Sequence, residues 1–274
     1  MEQGHNNSQI ITEKDFHEAF LSLIKELTSF VFRLVTNKED TEDLVQDTYL
    51  KAYTKLYTFQ GNSTLKTWVF SIAVNLCKNH LAGKKRWPEN TQQLGAALHL
   101  RSEELFCRMK EVFYRQPSHN FEIREHINYC FNCISKTLLL SQQICLLLKE
   151  VYGFSLKEIM SITKLSEGKA KHALADGRKH MHRIFNNRCS LIKKTGTCHE
   201  CTTIKGILNP EQEAHIKANE IKMAKQKDHP NKEYLLNLRI DIVKGIDPLN
   251  STNSIFHTYL LKNNPKWVEI ATNE

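Results

Sequence analysis

Apolar residues recur at three- and four-residue intervals along most of the chain, the spacing that sets one face of a helix against a core. From Asp15 to Val35 the apolar positions are Phe16, Phe20, Leu23, Leu27, Phe30 and Leu34, which predicts an amphipathic helix or two in series. A second helix is predicted to begin near Asn37, with acids in its first turn where the helix dipole favours them. It turns Leu44, Val45, Thr48, Leu50, Ala52 and Leu56 to one side. Phe59-Gln60-Gly61-Asn62-Ser63 has turn chemistry, after which Leu65, Trp68, Val69, Ile72, Ala73 and Leu76 restore the helical period as far as Leu81.

Between Gly83 and about Asn120 the period weakens and Pro88 and Pro117 intervene, which predicts a linker with one short helix near 102–113. Helical pattern returns over 121–138, 142–151, 156–162 and 167–185. Past Arg188 the glycines Gly196 and Gly206 and Pro210 surround a cysteine cluster. Helices are then predicted over 211–227 and 232–243, and Ile255, Phe256, Tyr259 and Leu260 repeat the spacing. The reading is an all-α protein: a helical unit over 13–86, a flexible linker over 87–120, a second helical unit over 121–187, and a small, mostly helical C-terminal extension over 188–274.

The length of 274 residues fits more than one domain, and 41% hydrophobic and 25% charged residues with only ten glycines fit a helix-rich globular chain. No apolar run approaches the ~20 residues needed to span a bilayer. The first residues, MEQGHNNSQI, are polar, so a cytoplasmic protein without a membrane partner is expected. In that setting eight cysteines read as thiols or metal ligands, because the cytosol keeps thiols reduced.

Charge adds more than its total. A net charge of +8 and a pI near 9.0 point to a polyanionic partner. Glu39, Asp40, Glu42, Asp43 and Asp47 crowd one short run without a base, whereas Thr48 to Pro88 holds no acid and seven Lys or Arg. This asymmetry predicts two faces for two partners, one acidic and one basic. Residues 136–194 carry twelve Lys or Arg against four acids, and from Thr195 onward the two signs balance.

The run Asp40-Thr41-Glu42-Asp43-Leu44-Val45-Gln46-Asp47-Thr48-Tyr49, followed by Phe59-Gln60-Gly61-Asn62-Ser63 and Lys66-Thr67-Trp68, resembles region 2 of the extracytoplasmic-function (ECF) sigma factors, in the sigma-70 class. Gly153-Phe154-Ser155-Leu156-Lys157-Glu158-Ile159 through Leu165 to Arg178 resembles the helix-turn-helix of region 4 in the same family. The resemblance implies a non-enzymatic subunit that binds core RNA polymerase and directs it to promoter DNA, with an anti-sigma factor as a further partner. It places polymerase docking on Asp40, Asp43 and Gln46, which share one helical strip at i, i+3 and i+6. It places reading of the -10 element on the loop and helix that follow, and of the -35 element on the helix-turn-helix.

The residue chemistry agrees. Capturing unstacked bases needs cations for the backbone and aromatic platforms, and Lys66, Trp68, Asn75, Lys78, Asn79, Lys84, Lys85 and Arg86 supply both in the acid-free stretch. Trp68 equally fits a core slot. In the helix-turn-helix, Leu156, Ile159, Met160 and Ile162 pack the first helix and Ala170 and Leu174 the second. That leaves Lys169, Lys171, His172 and Arg178 for the major groove and adjacent phosphates.

No cofactor is required by this reading. Zinc is the metal that two cysteine groups would hold: Cys189, Cys198 and Cys201 downstream, and His126, Cys130 and Cys133 upstream on one helical face. Cys130 and Cys133 also fit apolar slots beside Ile127 and Ile134. The alternative function is an operator-binding regulator with a metal- or ligand-sensing C-terminal region. A metal-dependent hydrolase is disfavoured by the lack of a Ser/His/Asp set, a phosphate loop or an HExxH motif.

Overall fold

The computed structural model describes residues 11–115, 123–188, 231–252 and 254–273, and its regular elements are all helical. Thr12 opens α1 (Glu13–Val35): its Oγ1 accepts the Asp15 N–H at 3.1 Å and the Asp15 carboxylate accepts the Thr12 N–H at 3.3 Å. This reciprocal cap satisfies amides that have no acceptor within the helix. α1 stops at Thr36, in the left-handed region at φ 59°, with its amide on the Phe32 carbonyl at 2.7 Å. Asn37 then caps α2 (Lys38–Thr54) through the Asp40 N–H at 3.2 Å. After a 3-10 turn, Thr64 caps α3 (Leu65–His80) through the Thr67 N–H at 3.1 Å.

The stretch between the two predicted units holds two helices, α4 (Thr91–Arg101) and α5 (Glu103–Tyr114). α5 is the predicted short helix. α4 escaped the pattern because its apolar residues form no single stripe. It packs through Gly95, where an added Cβ would lie 3.5 Å from Asn264 Oδ1 and 3.6 Å from Trp267, and through His99, whose ring meets Trp267 edge-on at 4.3 Å.

The second unit comprises α6 (Ile123–Ser135), α7 (Leu140–Leu146) running into a π turn at Leu147–Val151, α8 (Leu156–Thr163) and α9 (Glu167–Arg188). Ser155 and Glu158 cap α8 reciprocally, at 3.3 and 2.9 Å. α10 (Lys232–Lys244) matches the helix predicted over 232–243, and α11 (Ser254–Asn273) runs on through Pro265. The helix predicted over 211–227 lies outside the described residues.

The two units and α10 share one apolar core. Phe16, Phe30 and Phe70 are continuous in it with Phe154, Ile159 and Phe185, and with Leu236, Ile240 and Val243. Each such side chain contributes ~1.5–3 kcal/mol by leaving water, so parting the units has a large cost. A second cluster packs Trp87, Met109 and Phe113 with Tyr129, Phe256 and Trp267, and so fastens α4, α5 and α6 to α11. Leu50 departs from the sequence pattern: it lies on the predicted inner face of α2 but is 50% exposed, because none of the described elements covers that part of the helix.

Of the buried cations Arg33, Lys136 and Arg239, the first two are held by hydrogen bonds across the core. Arg33, 1% exposed, donates from Nη1 to Asn128 Oδ1 at 2.6 Å and Asn132 Oδ1 at 2.8 Å, and from Nη2 to the carbonyls of Val243 at 3.2 Å and Ile246 at 3.0 Å. Lys136, 4% exposed, donates to the Leu34 carbonyl at 2.5 Å. Hydrogen bonds of this kind are what make a buried charge tolerable.

Candidate nucleic-acid interface

α2 presents the acidic strip. Asp43 and Gln46 are exposed, whereas Asp40 is half-buried and bonded to His80 on α3 at 3.1 Å. Glu39, one residue before the strip, pairs with Lys262 of α11 at 2.7 Å, and this contact holds its carboxyl below the usual range.

The predicted DNA-contacting residues of α3 divide into two groups. Asn75 and Asn79 are exposed. Lys66 bonds Glu26 at 2.6 Å and lies 4.8 Å from the centre of the Phe154 ring, and Lys78 donates to the Thr163 carbonyl at 3.2 Å. Both lysines therefore engage α1 or the helix-turn-helix unit and do not point freely into solvent. Thr67 donates to Glu158 at 3.1 Å across the same α3–α8 contact. Trp68 is half-buried against the core, with its ring 5.3 Å from that of Phe59, so it fills the core slot that the sequence also allowed.

In the basic run after α3, Lys84 and Lys85 are exposed. Arg86 turns inward, donating to the Leu138 carbonyl and Gln143 Oε1 at 2.5 Å each and to the Ser135 carbonyl at 3.2 Å. Burial lowers its guanidinium to about 10. As placed, Arg86 is a strut between the units and not a free phosphate contact, because its donors are spent on α6 and α7.

On α9, Lys169, Lys171 and His172 are exposed, and Lys171 reaches back only to Glu167 at 2.7 Å. Arg178 is captured: it bonds Glu150 at 2.6 Å, and Glu233 at 3.0 Å and Asn237 at 2.8 Å on α10. Ala170 is fully buried and Leu174 partly so, as a helix-turn-helix requires.

An exposed acidic strip, an adjacent basic helix and a helix-turn-helix are thus set side by side, and known proteins share part of this sequence. Residues 19–86 match the family model for sigma-70 region 2. The ECF RNA polymerase sigma factor SigX of Bacillus subtilis is 26% identical over 62% of this chain and 84% of its own length. The ECF RNA polymerase sigma-E factor of Escherichia coli K12 is 26% identical over 61% of this chain and 84% of its own. Over these stretches the chain is similar to ECF sigma factors, and residues 19–86 carry a sigma-70 region 2 domain. The sigma factor RpoE, in a co-crystal structure with the anti-sigma factor NepR from Bartonella quintana, aligns with 63% of this chain and 97% of its own at 22% identity and a TM-score of 0.42.

In this chain the region-2 match takes in α2, α3 and the basic run to Arg86. Lys84 and Lys85 line a cleft of about 920 Å³ together with Trp87, Lys136 and Lys262 of α11. Sequence reasoning missed Arg33 and Gln143, which join the units from inside. Their only signal was a polar residue amid an apolar helix stretch.

The upstream metal set does not assemble. His126 Nε2 stands 3.7 Å from Cys130 Sγ, but the Cys133 thiol takes the Asn264 side-chain amide at 3.9 Å. No group of three His, Cys, Asp or Glu among the described residues is placed to hold a metal ion. The cause is packing: Cys133 is 3% exposed and belongs to the apolar cluster shared with α11. Cys189, Cys198 and Cys201 lie outside the described residues. No helix among the described residues is long and apolar enough to cross a membrane.

Proposed function

We propose that this protein is a sigma factor of the ECF kind, which binds core RNA polymerase through the exposed acids of α2 and directs it to promoter DNA. In this reading α3 and the Lys84–Lys85 run serve the -10 side, and α9 serves the -35 side. The observation that carries it is the pairing, within the region-2 match, of an α2 that leaves Asp43 and Gln46 in water with an acid-free α3 directly beside it. An operator-binding regulator has no use for that acidic strip. The protein acts by positioning other molecules, with no chemical step of its own.

Run-off transcription by core polymerase with and without the protein tests the reading, and product should depend on it. Asp43→Arg should abolish co-purification with core polymerase at unchanged helical content, because it inverts charge on an exposed site where folding is indifferent. Retained co-purification would remove α2 as the docking element. Lys84→Ala with Lys85→Ala should weaken promoter complexes on every sequence and reduce the salt slope by about two, as the loss of two phosphate contacts does.

A further inference from the structure

α10 is tied to both DNA-reading units at once. Its apolar residues Leu235, Leu236, Ile240 and Val243 are at most 2% exposed, and the last three enter the core shared by the two units. Its C-terminal end receives Arg33 of α1, whose guanidinium bonds the Val243 carbonyl and that of Ile246 just beyond, while its other nitrogen holds Asn128 and Asn132 of α6. A cation there is favoured twice over, since the last carbonyls of a helix lack intrahelical donors and carry the negative end of its dipole. At the other end of α10, Glu233 and Asn237 hold Arg178 of α9. In the middle, Arg239 stacks on Phe185 of α9 with its guanidinium carbon 4.5 Å from the ring centre. One helix therefore joins α1, α6 and α9.

The arrangement so held covers the part of α3 that carries Lys66, Thr67, Phe70 and Lys78, and leaves Asn75 and Asn79 exposed. α3 lies against α8 through Lys78 on the Thr163 carbonyl, Thr67 on Glu158, and Phe70 on Phe154 at 4.9 Å between ring centres. We propose that α10 is an intramolecular latch: docked, it keeps the second unit closed over α3 and occupies Arg178, and undocked, it frees both for promoter DNA. The inference rests on the proposed sigma function and adds its regulation. α11 links the latch to polymerase binding. Its Lys262 offers Glu39 the kind of ammonium that a basic docking partner would bring to the adjacent strip. That pair is exposed, with 46% and 65% of the side chains in water, so a partner can exchange for it readily.

The test uses the full chain and two variants. Leu236→Glu with Ile240→Glu expels the apolar face of α10, and Glu233→Arg with Asn237→Ala alters only exposed positions, so the second keeps the test valid if the first fails to fold. Amide hydrogen exchange of the free protein and run-off transcription with limiting protein are read in parallel. Exchange in α3 and α8 should rise about tenfold in the first variant and less in the second, as sub-global opening of a linked segment predicts, and run-off product should rise several-fold. Unchanged protection of α3 and α8 while α10 itself exchanges freely would overturn the latch. Faster exchange with no run-off product from any of the three proteins would leave the latch standing and overturn the sigma reading.

Discussion

On α3 the bases Lys66 and Lys78 are drawn into the chain's own contacts, whereas on α9 Lys169, Lys171 and His172 stand in solvent. Both helices offer cations from a polar side, so composition does not separate them. Position does. α3 packs against α1 and α8, while Lys169, Lys171 and His172 in the first half of α9 are exposed. In the proposed reading the closed form meets DNA with α9, and Lys66 and Lys78 of α3 become available only once the units part.

The largest expected effect comes from removing the apolar contact that makes α3 different. Phe154 is 3% exposed, packed on Phe70 and beneath Lys66. Phe154→Ala should cost ~3–5 kcal/mol of stability by leaving a cavity. Urea denaturation followed by a probe in each unit should show both transitions moving together. If only the second unit's transition moved, the closed contact would be independent of the stability of α3.

Lys136 sharpens the comparison between buried and solvated bases. Burial lowers its ammonium to about 7 from the ordinary 10.5, with repulsion from Arg86 and Lys84 adding to the effect. Between those two values the unfolded chain binds more protons than the folded one, so stability should rise as the pH is raised through the interval and be lowest below about 7. Lys136→Met should abolish that rise while Lys171→Met should leave it intact. Denaturation midpoints across the interval decide it, and an identical pH dependence in wild type and Lys136→Met would mean that the buried lysine stays charged at no cost.

DNA binding by the free protein then measures the exposure difference directly. Lys171→Ala with His172→Ala should weaken binding to a -35 duplex by ~1–3 kcal/mol and change its base preference. Lys66→Ala with Lys78→Ala should be silent until core polymerase is added. Equal losses from the two pairs in the free protein would show that α3 is as accessible as α9. The smallest effect is expected at Leu50, where replacement by Ser should shift stability within ~0.5 kcal/mol, as at other surface positions.

The helices of both units were legible in the sequence because each sets one stripe against a single core. α4 was not, since it lies between neighbours and spreads its apolar residues around the helix, with Gly95 allowing close approach to α11. The acidic strip followed from a charge run and helical spacing, and the exposed bases of α9 from the helix-turn-helix pattern. Arg86 and Arg178 did not, because whether a cation faces water or a carbonyl is decided by elements far away in the chain: Ser135 and Leu138 for the first, Glu233 and Asn237 for the second. The exposure of Leu50 has the same origin, an inward-looking position that none of the described elements covers.

The guanidinium of Arg33 has acceptors 95, 99, 210 and 213 residues further along the chain. At a synthesis rate of about 5–20 residues per second, roughly 10–40 s separate the emergence of Arg33 from that of Ile246. During that interval the first three helices already exist and the segment that seals them does not. A nascent chain on the ribosome thus passes through a stage in which α10 is not yet there to hold the two units together. Closure comes last, imposed by the order in which the message is read.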